Sequence, residues 1–99
     1  MSLDRINEEA KIKLTEGLDN WVCSYVFPEK LLKEYSFESF ADALQFVNKV
    51  GAASEQVNHY PDIQLWGAWV YLRIWTKGVG GLTELDFSLA KKIDYIEKK

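Results

Sequence analysis

The sequence predicts an α+β fold in which three helices pack on an antiparallel sheet of three or four strands. Three segments carry apolar residues at helical spacing, and the segments between them are rich in β-branched and aromatic residues. Proline or glycine separates most of these segments. In such a layered fold each helix turns its apolar side to the sheet.

Length and composition limit the range of functions. The 99 residues correspond to a single domain spanning residues 1–99, and a composition of 47% hydrophobic and 27% charged residues is typical of globular proteins. Lys and Arg are dispersed and the net charge is -3, which argues against direct nucleic-acid binding. No apolar run approaches the roughly 20 residues that span a membrane, and no signal peptide is recognisable, so we expect a cytoplasmic protein.

Cys23 is the only cysteine. One cysteine permits no internal disulfide and no cysteine zinc site. We therefore interpret Cys23 as a small buried apolar residue.

The N-terminal third predicts a helix followed by a β-hairpin. Over residues 7–18, Ile12, Leu14 and Leu18 are spaced for one side of a short helix, which Gly17 and the following Asp-Asn pair end. The β-rich runs "WVCSYVF" and "LLKEYSF" flank "PEK", where Pro28 sets the turn of the hairpin.

The clearest helix begins after Ser39. Ser39 and Asp42 form a variant capping box, and the helix extends to about Val57. Pro61 prevents its continuation, because proline disfavours the α conformation at Tyr60. The residues that recur at helical spacing along it are Phe40, Ala43, Leu44, Val47, Val50 and Gly51.

Residues 64–75 are predicted to form one strand that is apolar on both faces, with a further strand at its head or tail. A period of two places Trp66, Ala68, Val70, Leu72 and Ile74 on one face and Leu65, Gly67, Trp69, Tyr71, Arg73 and Trp75 on the other. The strip formed by Trp69, Tyr71 and Trp75 suggests a partner surface, most simply for another copy of the chain. Alternatively, the N-terminal helix folds over it.

The C-terminal segment predicts a turn and a third helix. "KGVGG" is a flexible turn, and Thr83 with Asp86 forms a second capping box. The predicted inner face of this helix consists of Leu89, Ala90, Ile93 and Ile96.

Taken together, "LDNW", "YSFESFADALQFVNKVGAASEQVNHYPDI" and "TKGVGGLTELDFSLAKKI" resemble the pterin-4a-carbinolamine dehydratase family over nearly the whole chain. The resemblance implies a four-stranded antiparallel sheet with three helices packed on one face. It also implies homodimers or dimers of dimers, with neighbouring sheets joined edge to edge. No metal or organic cofactor is implied.

The family motif is only partly kept. Four positions retain both the family residue and its spacing: Glu55, His59, Pro61 and Asp86. Tyr60 and Lys77 stand where the family has its second and third histidines. Gly67 and Ile63 replace aromatic residues that are common in the family.

The resemblance implies dehydration of 4a-hydroxytetrahydropterin to quinonoid dihydropterin. One proton goes to the departing hydroxyl and another leaves ring nitrogen N5, and imidazole suits either transfer near neutral pH. We expect His59 to serve as acid or base, and as the base if Tyr60 or Lys77 supplies the acid, with Glu55 holding its other ring nitrogen or the amino edge of the pterin. Tyr60 and Lys77 are expected to supply the acid or to bind substrate, because phenols and ammonium groups are protonated at pH 7.

Each assignment has a purely structural alternative. His59 can be a polar residue at a helix end, Asp86 a capping residue, Glu55 a solvated helix residue, and Lys77 a charge before a turn. The corresponding alternative function is an inactive pterin-binding or assembly module. The resemblance includes that class, because some family members are partners of a homeodomain transcription factor and related modules assist enzyme assembly.

Overall fold

The computed structural model describes residues 4–97 and confirms the predicted fold class. Four antiparallel strands form one sheet in the order β1-β2-β4-β3, with the three helices on one side. The elements in chain order are α1 (Glu8–Glu16), β1 (Val22–Ser24), β2 (Lys30–Ser36), α2 (Phe40–Val57), β3 (Asp62–Trp66), β4 (Trp69–Ile74) and α3 (Glu84–Glu97).

Helix α1 lies where the sequence predicts it, but of the three residues on its predicted inner face only Leu18 packs against the core. Asn7 caps its first turn and Gly17 ends it. Ile12 and Leu14 are 52% and 40% exposed, whereas Lys11 is buried. The side chain of Lys11 pairs with the buried carboxylate of Glu29 ahead of β2, so an ion pair orients this short helix.

The first predicted hairpin is confirmed and the single strand over residues 64–75 is wrong. β1 pairs with β2, although β1 is only three residues long. Residues 64–75 contain most of a second hairpin, formed by β3 and β4. Gly67 occupies the first central position of its two-residue turn with φ of 57°, as a type II′ turn requires.

Because of this turn, the side chains of Leu65 and Trp66 lie on different faces of the sheet from those that a single continuous strand predicts. Trp66 lies directly opposite Trp69, so both side chains are on the same face, and Trp66 is 73% exposed. Leu65 instead lies opposite the buried Val70. A period of two applied across the turn had assigned Trp66 to the buried face.

Helices α2 and α3 follow the predicted bounds. Ser39 caps α2 by accepting a hydrogen bond from the Asp42 amide at 3.1 Å. Two of its predicted inner residues, Phe40 and Leu44, are instead 53% and 41% exposed. The buried residues of α2 are Ala43, Phe46, Val50, Ala53 and Ser54. In α3 the predicted Leu89, Ala90 and Ile93 are buried, and Ile96 is partly buried.

The two faces of the sheet differ in cover. The helix-covered face carries the strand core residues Leu31, Tyr35, Val70, Leu72 and Ile74. The opposite face, here called the open face, carries Val22, Leu32, Glu34, Gln64, Trp66, Trp69, Tyr71 and Arg73. Residues of α1 and α3 together line a cleft of about 290 Å³, so α1 lies beside α3.

The alternative in which α1 covers the aromatic strip is therefore wrong. Trp69 remains 44% exposed on the open face. Cys23, expected to be buried, is half-buried against the core, and burial is the main cause that raises the pKa of its thiol. None of the helices within residues 4–97 is both long and apolar enough to cross a membrane.

Candidate functional site

The candidate site is built around the only histidine. The His59 Nε2 and Asp86 Oδ1 atoms lie 2.6 Å apart, although 27 residues separate them in sequence. Asp86 is completely buried and the His59 side chain is 11% exposed. This contact joins the end of α2 to the first turn of α3.

The backbone after α2 determines where the histidine lies. Asn58 adopts the left-handed conformation with φ of 56°, and its amide donates to the Glu55 carbonyl. The His59 amide donates to the Ser54 carbonyl at 3.2 Å. These two bonds form a Schellman motif, in which asparagine tolerates the left-handed conformation better than most residues.

Asp86 is held from its other side by two threonines. Its Oδ2 accepts from the Thr83 amide and from the Thr76 hydroxyl, each at 2.8 Å. The two threonine hydroxyls lie 2.8 Å apart, and the Leu85 amide donates to Thr83 at 3.3 Å. The predicted capping box is thus confirmed, and its carboxylate also contacts the histidine. We call His59, Thr76, Thr83 and Asp86 the site network.

Glu55 was expected to hold the other ring nitrogen of His59 or the amino edge of the pterin, and in the structure it contacts Tyr60 and not the ring. Glu55 accepts a long hydrogen bond of 3.5 Å from the Tyr60 hydroxyl. That hydroxyl also lies 3.2 Å from Asn58 Oδ1. Within the described residues Glu55 makes no hydrogen bond to His59, because the end of α2 turns the imidazole toward α3 instead. Tyr60 is 53% exposed.

Lys77 makes contacts that are separate from the site network and from the contact between Glu55 and Tyr60. Its ammonium is 3.7 Å from Asp62 Oδ1 and 5.2 Å from the centre of the Trp75 ring. The Lys77 side chain is 68% exposed, so the ion pair is weak. Pro61 lies between Tyr60 and Asp62 in the chain. It therefore connects the contacts of Glu55 and Tyr60 with those of Asp62 and Lys77.

Comparison with known sequences places this chain in a family. A sequence profile described as pterin 4 alpha carbinolamine dehydratase matches residues 4–96. The chain belongs to the pterin-4a-carbinolamine dehydratase family. A relative from Rickettsia bellii (strain OSU 85-389), named "putative pterin-4-alpha-carbinolamine dehydratase", is 46% identical over 85 residues, which cover 85% of this chain and 73% of the relative. A relative of the same name from Sulfolobus acidocaldarius is 37% identical over 97 residues, covering 98% of this chain and all of the relative.

Solved structures support the fold. One, described as a transcriptional coactivator/pterin dehydratase from Brucella melitensis, superposes with a TM-score of 0.87 at 24% identity, covering 94% of this chain and 98% of that one. Another is described as a pterin dehydratase-like protein identified as a RuBisCO assembly factor in the alpha-carboxysome. It has a TM-score of 0.66 at 23% identity and covers 79% of this chain and 89% of its own.

Within this dehydratase-family domain, the retained residues divide into two groups. His59 and Asp86 are in direct contact, and Glu55 contacts Tyr60, which stands at a family histidine position. Two clefts larger than the one between α1 and α3 lie away from these residues. One of about 510 Å³ is lined by residues such as Asp42 and Lys49, and one of about 550 Å³ lies on the open face.

Sequence reasoning missed the contribution of two residues to the site. Thr76 was not considered, yet its hydroxyl contacts Asp86. Asp62 pairs with Lys77. A single threonine after a strand gives no local indication of a site residue. Asp62 directly follows Pro61 of the family motif, so it could have been considered as one.

Proposed function

We propose that this dehydratase-family chain acts in the cytoplasm and dehydrates 4a-hydroxytetrahydropterin to quinonoid dihydropterin. The proposal rests on the buried contact between His59 and Asp86. An ionised carboxylate only accepts hydrogen bonds, so the Nε2 atom facing Asp86 carries a proton. In the neutral ring Nδ1 is then the atom that can accept a proton.

The proposed reaction moves two protons. His59 Nδ1 takes the proton from N5 of the pterin, and the electron pair of that N–H bond forms the N5–C4a double bond. The C4a–O bond breaks and the leaving hydroxyl takes a proton from Tyr60 or Lys77, so that one water is released. Each positioned acid or base contributes roughly 100- to 10,000-fold to such a rate. Glu55, Pro61 and Asp86 are assigned to the substrate-binding surroundings, and no metal or organic cofactor takes part.

The decisive experiment measures dehydration directly. A pterin-dependent hydroxylase generates the 4a-hydroxy substrate in situ, and the rate is compared with the uncatalysed background for the natural chain and for His59→Ala. We expect acceleration that His59→Ala abolishes. Tyr60→Phe and Lys77→Met then identify the acid, because the variant that lacks it loses the proton for the leaving hydroxyl. Rates equal to background for the natural chain would contradict the proposal.

A second candidate function is a non-catalytic pterin-binding or assembly module of the same fold. Two observations favour it: tyrosine and lysine replace two family histidines, and the Lys77 ammonium is 3.7 Å from Asp62 and largely exposed. The structural neighbour described as a RuBisCO assembly factor shows that this fold also occurs in a protein with that description.

Ligand-dependent melting separates these possibilities. A ligand that binds only the folded state raises the melting temperature with its concentration by mass action. We expect 7,8-dihydrobiopterin to raise the melting temperature if the chain binds pterins. A melting temperature unchanged at saturating ligand would contradict both pterin functions and direct attention to a protein partner.

We also propose that the open face is a contact surface between copies of the chain, which would form a homodimer or homotetramer. Trp66 and Trp69 are 73% and 44% exposed there, and exposed aromatic strips of this kind mark interfaces. Trp69→Glu is expected to reduce the mass measured by light scattering, because it would place a charge in the contact. Ile12→Glu on the exposed side of α1 is the matched control. An unchanged mass for Trp69→Glu would rule out this surface.

A further inference from the structure

The geometry points to Thr76 as a positioning residue: we propose that its hydroxyl fixes Asp86 and thereby selects the tautomer of His59. Thr76 is 8% exposed and its hydroxyl lies 2.8 Å from Asp86 Oδ2. It is absent from the family motif described above. The consequence for catalysis rests on the proposed function, whereas the consequence for the histidine ring does not.

The direction of the hydrogen bonds follows from counting protons. A hydroxyl group has one proton to donate, and an ionised carboxylate has none. The Thr76 hydroxyl proton therefore points to Asp86 Oδ2, and the Thr83 hydroxyl donates to the Thr76 oxygen at 2.8 Å. At the other carboxylate oxygen, 2.6 Å from His59 Nε2, an ionised Asp86 requires the proton to lie on Nε2. Three hydrogen bonds of the site network, from His59, from the Thr76 hydroxyl and from the Thr83 amide, thus end on Asp86.

The backbone holds Thr76 firmly enough for this role. Its amide donates to the Gly81 carbonyl at 3.0 Å, and its carbonyl accepts from the Val79 and Gly80 amides at 3.0 Å each. Thr76 and Gly81 also form an isolated β-bridge. Because these bonds close the turn, they hold the Thr76 hydroxyl at Oδ2, the carboxylate oxygen that His59 does not contact.

Two donors to one oxygen orient the carboxylate more strictly than one. The Thr83 amide alone leaves Asp86 able to rotate about its terminal bond, since a carboxylate oxygen accepts over a broad range of directions. The Thr76 hydroxyl adds the second direction and leaves Oδ1 for the histidine. Without it, we expect water or a rotated carboxylate to weaken the preference for the Nε2–H tautomer.

The test uses the fact that the chain has one histidine. Nitrogen-15 labelling of histidine gives the signals of a single imidazole, whose two nitrogen shifts distinguish the tautomers. At pH 8, where an ordinary imidazole is neutral, we expect the natural chain to show protonated Nε2 and unprotonated Nδ1. Thr76→Val keeps the branched shape and removes the hydroxyl, so it should give averaged shifts of mixed tautomers. Thr76→Ser restores the donor and should restore the natural spectrum.

Each outcome decides the proposal. An unchanged ring spectrum in Thr76→Val overturns it, and so does an Nδ1–H tautomer in the natural chain, which is measurable even if Thr76→Val fails to fold. In the dehydration assay Thr76→Val should lose about tenfold in rate, with recovery in Thr76→Ser, as loss of a hydrogen bond to a charged group predicts. If the natural chain has no activity, the proposed function fails while the tautomer result still stands or falls separately.

Discussion

Two of the buried charge networks within residues 4–97 use similar groups and have different consequences. The site network places Asp86 against a histidine and two threonines. The second, which we call the anchor network, places Glu29 against Lys11 and against Arg5 at 2.9 Å, and Lys11 against Glu8 at 2.8 Å. Lys11 and Glu29 are only 2% and 8% exposed.

The two networks differ in whether a polar atom remains without a partner. In the anchor network, Glu29 has two cationic partners and Lys11 has two carboxylates, so the contacts fix α1 to the residues before β2. In the site network, the hydrogen bond between Asp86 and Nε2 leaves the second nitrogen of His59 without a partner within residues 4–97. Buried charge therefore does not identify a functional site, whereas a proton-exchanging atom that its network leaves unengaged is a candidate for one.

The largest expected effect comes from Asp86→Asn. One oxygen of the asparagine can still accept from Thr76 and the Thr83 amide, which places its NH₂ group toward His59. An NH₂ donor requires an unprotonated Nε2, so the neutral ring would take the opposite tautomer and lose its free acceptor. We expect the dehydration rate to fall about 100-fold. An undiminished rate would show that the tautomer does not matter.

The matched change in the anchor network should have the opposite signature. Lys11→Met removes the buried cation and leaves Glu29 with Arg5 alone. Breaking a buried pair in this way is expected to lower the free energy of unfolding by about 3 kcal/mol without altering the dehydration rate of the folded protein. Denaturant titration measures the first quantity. Lys13→Met, at an exposed lysine of the same helix, is the control and should change little.

The anchor network also predicts how stability depends on acid. The hydrogen bond from Lys11, and then that from Arg5, hold the pKa of the Glu29 carboxyl below its ordinary value. A lowered pKa in the folded state contributes stability above the unfolded value near 4.3, and this contribution is lost as pH falls through the folded value. The melting temperature should therefore decrease below about pH 4.

This acid dependence distinguishes the anchor pair from other carboxylates. Lys11→Met should have a shallower decrease in melting temperature over the same pH range, because Glu29 then has a smaller difference in pKa between folded and unfolded states. Lys13→Met should follow the natural chain. Parallel curves for Lys11→Met and the natural chain would show that the pair does not contribute to acid stability.

Local signals in the sequence were sufficient for much of the fold. The caps of α2 and α3 depend on side chains within three residues of one another, so Ser39 and Thr83 could be identified without knowledge of the tertiary structure. The facing of Trp66 could not, because one turn at Gly67 reverses the chain inside a continuous apolar run. The facing of α1 also failed, because its orientation depends on Lys11 reaching Glu29, 18 residues away.

The candidate site shows the same division. The capping role of Asp86 was local and predictable, whereas its contact with His59 depends on how α2, the β3–β4 hairpin and α3 pack together. Family resemblance placed both residues in one site, whereas the helical spacing of four between Glu55 and His59 offered Glu55 as a partner of the ring. Thr76 had no local signal, and only the three-dimensional arrangement brings its hydroxyl to Asp86.

Tyr35 lies outside both networks and tests what an unpaired buried group costs in stability. Its expected effect is the smallest of those predicted here. Its hydroxyl is buried, with no hydrogen-bond partner in the described part of the chain, and burial raises the pKa of the phenol. Removing an unpaired buried hydroxyl abolishes a desolvation penalty and breaks no contact, so Tyr35→Phe should increase the free energy of unfolding by about 1 kcal/mol. Tyr71→Phe on the open face is the control, where a change within about 0.5 kcal/mol is expected. A loss of stability in Tyr35→Phe would mean that the hydroxyl is paired in solution, as the polar groups of the site network and the anchor network are.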